Sequence, residues 1–230
     1  RRTSMNDTTE PSADTDLLER LRHIDTASLS DANKSLPVLT AALRPLLLGA
    51  RMAGRAVTAV ANGDLMSVIG ALDLGGPGDV LVVSSPGFEE AVCGELFGTE
   101  AFRRGMAGVV VDGMSRDSAA LRRLGMPFYS RGITPKAPPA LAVPEVQVPV
   151  TIGDVDIRPG DILVGDDDGI IVGTAADFAA IVDAAEAIQI REKALRTAIE
   201  DGRSLFDTMN FIAHRERLIA GVESSLTFEG

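Results

Sequence analysis

Apolar and polar positions follow three successive rhythms along this chain. Near the start, residues 16–23 (DLLERLRH) put Leu17, Leu18 and Leu21 on one helical face, and residues 26–36 open with capping residues that predict a second short helix. From residue 55 onward, short apolar runs alternate with helical spacing. Strands are expected at 55–60, 80–83, 109–111 and 127–130, with helices at 63–72, 94–104 and 118–124. Gly105 and Gly125 stand where two of those helices would end in the left-handed conformation. Strand–helix–strand repetition implies crossovers and a parallel layer. The third rhythm follows a proline-rich connector at 135–145 (PKAPPALAVPE). Strands at 146–152, 155–157, 162–164 and 170–172 are separated only by turn sequences such as RPGD and GDDDG, so this half reads as antiparallel. A long helix at 175–201, ended by Gly202, and an amphipathic helix at 210–224 complete a mixed α/β chain with helices and strands on one core sheet.

Composition narrows the function classes. The 230 residues, 45% of them hydrophobic, suffice for one sizeable core. Residues 1–14 read as a disordered polar tail without a signal sequence, 15–209 as a single domain, and 210–230 as a C-terminal helical extension. Acids outnumber bases 33 to 22, a net charge of −11, which disfavours a nucleic-acid surface but leaves room for a local anion site. The single cysteine, Cys93, allows no intramolecular disulfide and fits a cytoplasmic setting. No apolar run is long enough to span a bilayer, so no membrane partner is expected.

Chemistry concentrates in VVVDGMSRD, residues 109–117. Asp112, Arg116 and Asp117 crowd the end of a buried strand, with Gly113 expected to turn the chain sharply after it. In a bland reading Asp117 caps the next helix and Arg116 pairs with Asp112. The other reading uses a second acid, Glu95, at the start of the helix that follows a neighbouring strand. Two carboxylates plus waters suit Mg²⁺ or Mn²⁺. Backbone amides near Leu96 suit a small anion, and the planar guanidinium of Arg116 suits a carboxylate or a developing oxyanion. Such a kit fits chemistry on a 2-oxo acid.

The run GELFGTEAFRRGMAGVVVDGMSRDSAALRRLGMPFYSRG, with PVTIGDVDIRPGDILVGDDDGIIV and REKALRTAIEDGRSLFD further on, closely resembles the RraA-like family, which includes 4-hydroxy-4-methyl-2-oxoglutarate/4-carboxy-4-hydroxy-2-oxoadipate aldolases. The resemblance covers roughly residues 17–207, and the DGxxRD run is its most specific part. It implies a β/β/α sandwich like the swivelling phosphohistidine domains, assembled as trimers or hexamers with active sites between subunits. It implies Asp117 as the direct metal ligand, Arg116 on substrate and enolate, and Glu95 on the metal's waters. Gly94, Glu95 and Leu96 would form the substrate-carboxylate subsite, and Glu192 on a neighbour's long helix would also reach the metal waters. The activity implied is a Mg²⁺- or Mn²⁺-dependent lyase working through a pyruvate enolate, by retro-aldol cleavage or by oxaloacetate decarboxylation. The alternatives are a non-catalytic regulator of a protein partner, or an enzyme of a specialised pathway using the same metal site on another substrate. Two segments, both expected near the pocket, depart from the family pattern: SSPGFEEAVCGEL lacks its glycine-rich, aspartate-bearing stretch, and KAPPALAVPE is stiffer and more apolar than usual.

Other motifs read as structural. GDDDG lacks the later Glu of a calcium loop and is expected as a tight turn. Cys93 reads as a small packed residue at a helix start. His23 and His214 both fall in terminal helices, which leaves a histidine-based zinc site or a catalytic triad without support. Arg51 and Arg55 are expected to pair with acids. Arg103, Arg104, Arg122 and Arg123 are expected on solvated helix faces or subunit contacts. Ile181, Ala185, Ile188 and Leu195 form an apolar stripe for core or interface.

Overall fold

A computed structural model describes residues 13–228. The elements run α1 (Ala13–Leu21), α2 (Thr26–Ala32), β1 (Arg44–Pro45), β2 (Met52–Val60), α3 (Met66–Leu74), β3 (Asp79–Ser84), β4 (Ala91–Cys93), α4 (Glu95–Arg103), β5 (Gly108–Ser115), α5 (Ser118–Leu124) and β6 (Phe128–Ile133). After the connector come β7 (Glu145–Val146), β8 (Val150–Ile152), β9 (Val155–Ile157), β10 (Ile162–Gly165), β11 (Ile170–Gly173), α6 (Ala175–Glu200), a 3-10 turn (Leu205–Thr208) and α7 (Phe211–Ile219). Of the expected tail, residues 1–12 lie outside the described residues, and residues 13 and 14 open α1.

The main sheet has the order β1-β6-β5-β3-β2-β10-β11. Its middle, β6-β5-β3-β2, is parallel, and β1, β10 and β11 join antiparallel. Both faces of the parallel strands are covered, which is why VLVV and VVV carry no polar alternation. Leu81, Val83, Val109 and Val111 pack toward Val68 and Ala71 of α3, Ala101 of α4 and Leu121 of α5. The alternate residues Val80, Val82 and Val110 pack with Val150, Ile152, Val155 and Ile157 of the separate β8–β9 hairpin. Helix layer, sheet and hairpin together make the β/β/α sandwich. A third cluster seats Leu17, Leu21, Leu29, Phe178 and Ile181 against Ile162, Val164 and Ile171.

Several expectations change. The strand foreseen at 146–152 is broken into β7 and β8, because Gln147 takes a positive φ of 53° and Pro149 has no amide to offer a ladder. Residues 91–93, read as the approach to a helix, form the short strand β4. It pairs with the end of β5, where β3 has stopped: Ser84 of β3 faces Asp112, while Cys93 of β4 faces Ser115. Segment 85–90 is therefore a detour between two strands that line the same neighbour. Gly113 makes no turn, since β5 continues through it to Ser115. Its role is close approach: a Cβ there would lie 3.0 Å from the Ser85 carbonyl oxygen.

The connector is tied down. Asp64, buried just before α3, accepts amide hydrogens from Leu141 (2.7 Å), Ala142 (3.2 Å) and Met66 (2.8 Å). Those bonds, the Leu141 amide first and the Met66 amide next, hold its carboxyl below the usual carboxylate range. A depressed folded pKa means that the contribution is present above the unfolded value and disappears as pH falls through the lowered one. Amide exchange at Leu141 and Ala142 is thus expected to stay slow through mild acid and to accelerate only below the ordinary carboxylate range. Asparagine at position 64 should remove that acid dependence.

Candidate active site

The crevice lies beyond the carboxyl ends of β4 and β5, where open α/β sheets offer ligand sites. Chain direction explains why. Two adjacent parallel strands each lead into a helix, so the starts of α4 and α5 meet. The contact is direct: the Glu95 amide donates to Asp117 Oδ2 at 3.1 Å, and Arg116 N donates to the Cys93 carbonyl at 2.9 Å. Gly94 has extended backbone, so its value here is size. A Cβ would fall 2.6 Å from Asp117 Oδ2 and 2.8 Å from Arg116 Cγ.

Asp117 occupies the residue before α5 but does not cap that helix. It takes a left-handed φ of 56°, and its carboxylate turns to α4 instead. Among the described residues its Oδ1 has no hydrogen-bond partner. Arg116 does not pair with Asp112. The partner of the buried Asp112 is Arg131, with Nε 2.5 Å from Oδ1. That leaves Arg116 Nε 3.5 Å from Asp117 Oδ2, a loose contact with half-exposed side chains. The bland reading fails at both points, because a side chain from β6 satisfies the inner acid and the outer acid looks away from its own helix.

At the start of α4, the first amide satisfied within the helix is Gly98, which donates to Gly94 at 2.9 Å. With Glu95 committed to Asp117, the Leu96 and Phe97 amides have no acceptor among the described residues. A cavity of about 170 Å³ adjoins them, walled in part by Gly94, Glu95, Leu96 and Arg116. Asp117 stands at its edge, joined to that wall through the Glu95 amide. Four of the expected residues therefore share one cavity, with Asp117 in contact. Glu192 is exposed on α6, which packs against α1, α2 and β11, so one chain does not bring it to this crevice.

Leu65 escapes sequence reasoning, whereas Ala137, Ala91 and Val92 come from the two atypical segments that the family resemblance places near the pocket. Leu65 enters from the start of α3 and Ala137 from the connector. The Leu65 amide donates to Pro139 at 2.9 Å and the Ala91 amide to Lys136 at 2.7 Å, which docks the connector beside the crevice. The acid in NGDLM, before an apolar run, was the only local signal for this clamp.

Cys93 also lines the cavity, but burial pushes its thiol up to about 12. It is therefore a thiol and not a nucleophile at neutral pH. A thiol reagent at neutral pH is expected to label native protein orders of magnitude more slowly than denatured protein. The GDDDG segment is a turn: Asp166 accepts from Thr26 N (2.8 Å), Thr26 Oγ1 (2.7 Å) and Asp168 N (3.0 Å).

A β/β/α sandwich with a site at the joined starts of two helices defines a class of α/β proteins with a carboxylate–guanidinium crevice. The chain belongs to the RraA-like family (Aldolase/RraA), whose profile matches residues 26–172. A Halalkalibacterium halodurans protein provisionally named 4-hydroxy-4-methyl-2-oxoglutarate aldolase is 34% identical over 209 residues, covering 90% of this chain and 97% of the relative. A Pseudomonas syringae pv. tomato structure superposes with a TM-score of 0.75 at 30% identity, covering 86% of this chain and 98% of that one. Streptomyces coelicolor RraAS2, described as an unusual member of the RNase ES inhibitor RraA family, gives a TM-score of 0.70 at 30% identity, covering 82% and 98%.

Proposed function

We propose that this chain is a divalent-metal-dependent lyase acting on 2-oxo acids, by retro-aldol cleavage of 4-hydroxy-2-oxo acids or by decarboxylation of oxaloacetate. The observation that carries the reading is the meeting of Arg116 and the two free amides of α4 at one cavity, with Asp117 held at its edge by the Glu95 amide. Relatives named as aldolases support it.

Among the described residues, no three His, Cys, Asp or Glu side chains converge. Asp117, with an unpartnered Oδ1, and the exposed Glu95 are the residues that would hold the ion. One or two carboxylates fit a hard cation such as Mg²⁺ or Mn²⁺ that keeps several waters, and not a zinc cage. When bound, the ion supplies Lewis acidity toward the 2-oxo acid.

The remaining work falls to this chain's own groups. The Leu96 and Phe97 amides, at the positive end of α4, bind and orient the substrate carboxylate. In the retro-aldol direction the C4 hydroxyl gives up its proton, the C3–C4 bond breaks, and the electron pair moves to the C2 oxygen as an enolate. Arg116 donates to that developing charge through its planar fork. Decarboxylation of oxaloacetate passes through the same enolate, with carbon dioxide leaving in place of the carbonyl fragment. Glu95 accepts and returns protons through water. Glu192 would join from a neighbouring subunit in a trimer or hexamer.

The test is pyruvate release, followed by a coupled dehydrogenase, from 4-hydroxy-4-methyl-2-oxoglutarate and from oxaloacetate. Chelator-sensitive turnover supports the reading. No pyruvate from any 2-oxo acid offered, by folded protein with Mg²⁺ or Mn²⁺ supplied, removes it. Gly94→Ala is expected to lower turnover about 100-fold, because the new methyl displaces both Asp117 and Arg116. Its unfolding temperature should stay near that of the parent. The net charge of −11 and the likeness to proteins described as RNA-processing inhibitors favour one second reading, a regulator of a basic protein partner. One stoichiometric partner together with no metal-dependent turnover would select it.

A further inference from the structure

Residues 205–228 form an arm after α6 that is braced by its own hydrogen bonds. The Thr227 amide donates to Asn210 Oδ1 at 2.8 Å, the Asn210 side-chain amide donates to the Ser225 carbonyl at 3.1 Å, and Arg217 donates to the Glu223 carbonyl at 3.1 Å. Met209 pairs with Phe228 in an isolated bridge, and the Phe206 and Phe211 rings lie 5.7 Å apart. The polar groups of the arm are thus partnered locally, but its apolar side chains are not covered. No residue of α7 is buried, and α7 makes no extensive contact with any other helix or strand among the described residues. Nine large hydrophobic side chains between 205 and 228 are exposed, Ile219 at 79%. Within α7, Phe211, Ile212, Leu218 and Ile219 have the spacing of one helical face. Scattered apolar side chains on a surface are ordinary, whereas an apolar face on an ordered element marks a contact surface.

The crevice rim offers a second uncovered apolar surface. The Asp64 clamp fixes the backbone at Leu141 and Ala142, yet Leu141 and Val143 are 87% and 86% exposed. Leu96, on the crevice wall, is 77% exposed. One chain does not bring the two surfaces together. α6 follows β11, and β10, β2 and β3 separate β11 from β5, at whose end the crevice lies. After Ala185 the only buried residue of α6 is Leu195, so the distal half of that helix stands largely clear of its own body.

Charge selects a second copy as the occupant. Residues 190–228 hold six basic and six acidic side chains, whereas residues 1–189 hold 16 and 26. The end of the chain can therefore approach another acidic copy without the like-charge repulsion that two bodies would meet. The family profile ends at residue 172, so the arm also lies outside the segment that defines the domain.

We propose that residues 205–228 of one subunit seat on the crevice rim of a second copy, with the apolar face of α7 covering Leu141, Val143 and Leu96. Each copy gives an arm at one surface and receives one at another, a head-to-tail contact of the kind that builds rings. The arm becomes the outer wall of its neighbour's crevice, which a single chain leaves open. This goes beyond the lyase reading and does not depend on it.

Two measurements on the full-length chain test it, and neither needs turnover. The one native cysteine, Cys93, is buried, so introduced cysteines are the reactive ones. Chains carrying Ile212→Cys and chains carrying Leu141→Cys are co-expressed and treated with a short bismaleimide. The expected product is a covalent dimer that joins one chain of each kind, identified by its cross-linked peptides. Linkage of two Ile212→Cys chains to each other, or no linkage, overturns the proposal. The second measurement is mass by light scattering across a dilution series. The double variant Ile212→Glu/Ile219→Glu places charges on the exposed face of α7 and is expected to raise the dissociation constant of the assembly at least about tenfold, with helix content by circular dichroism unchanged. An unchanged dissociation constant overturns the proposal, and so does a monomeric parent, whose arm would then await a partner of another kind.

Discussion

Replacing Asp117 with asparagine is expected to lower pyruvate release by about 1,000-fold or more, with the fold intact. Asparagine is chosen because Asp117 holds a φ of 56°, a left-handed conformation that asparagine tolerates far better than alanine. Its amide oxygen also preserves an acceptor for the Glu95 N–H, so the junction of α4 and α5 survives. What disappears is the negative charge. A structural role alone predicts a fall in unfolding temperature with activity kept. The metal-ligand role predicts the reverse, with loss of Mg²⁺ binding by calorimetry alongside the loss of turnover. Near-normal rates in this variant would remove Asp117 from the chemistry.

Arg116→Lys is expected to reduce kcat by about 100- to 1,000-fold while leaving Mg²⁺ affinity close to the parent value. Lysine keeps the charge and loses the planar fork of donors, so the comparison isolates geometry from electrostatics. The side chain is half exposed and its one ionic contact is a loose 3.5 Å approach to Asp117, so stability should hardly move. An effect confined to KM would mean that Arg116 binds ground state and transition state equally and would assign it to substrate capture only.

The two variants bear on residues that sequence reasoning could select because residue type and spacing carry their chemistry. An acid and a guanidinium at the end of a β-branched run stand out locally, and so does an acid opening the next helix. The partners of those groups were not legible. Asp112 and Arg116 are four positions apart and invite pairing, yet Asp112 binds Arg131, nineteen positions away, because β6 runs beside β5. Gly113 resembles a turn glycine, but it is small to admit Ser85, a neighbour that exists only once β3 and β5 are paired. Three residues, AVC, were too short to declare a strand until the free edge at the end of β5 offered them hydrogen bonds.

By itself the sequence determined the alternation of buried strands and helices, the glycines that close α4 and α5 with φ of 73° and 77°, and the acid–guanidinium pair that marks the crevice. Those features depend on side-chain volume, backbone freedom and charge within a few residues. Only the tertiary structure decided that Leu65 lines the crevice, that Lys136 pairs with Glu90 and Arg131 with Asp112, and that Arg116 keeps only a loose contact with Asp117. Which charge remains unpaired depends on every other charge within reach, and chain crossings bring those together from positions far apart in sequence.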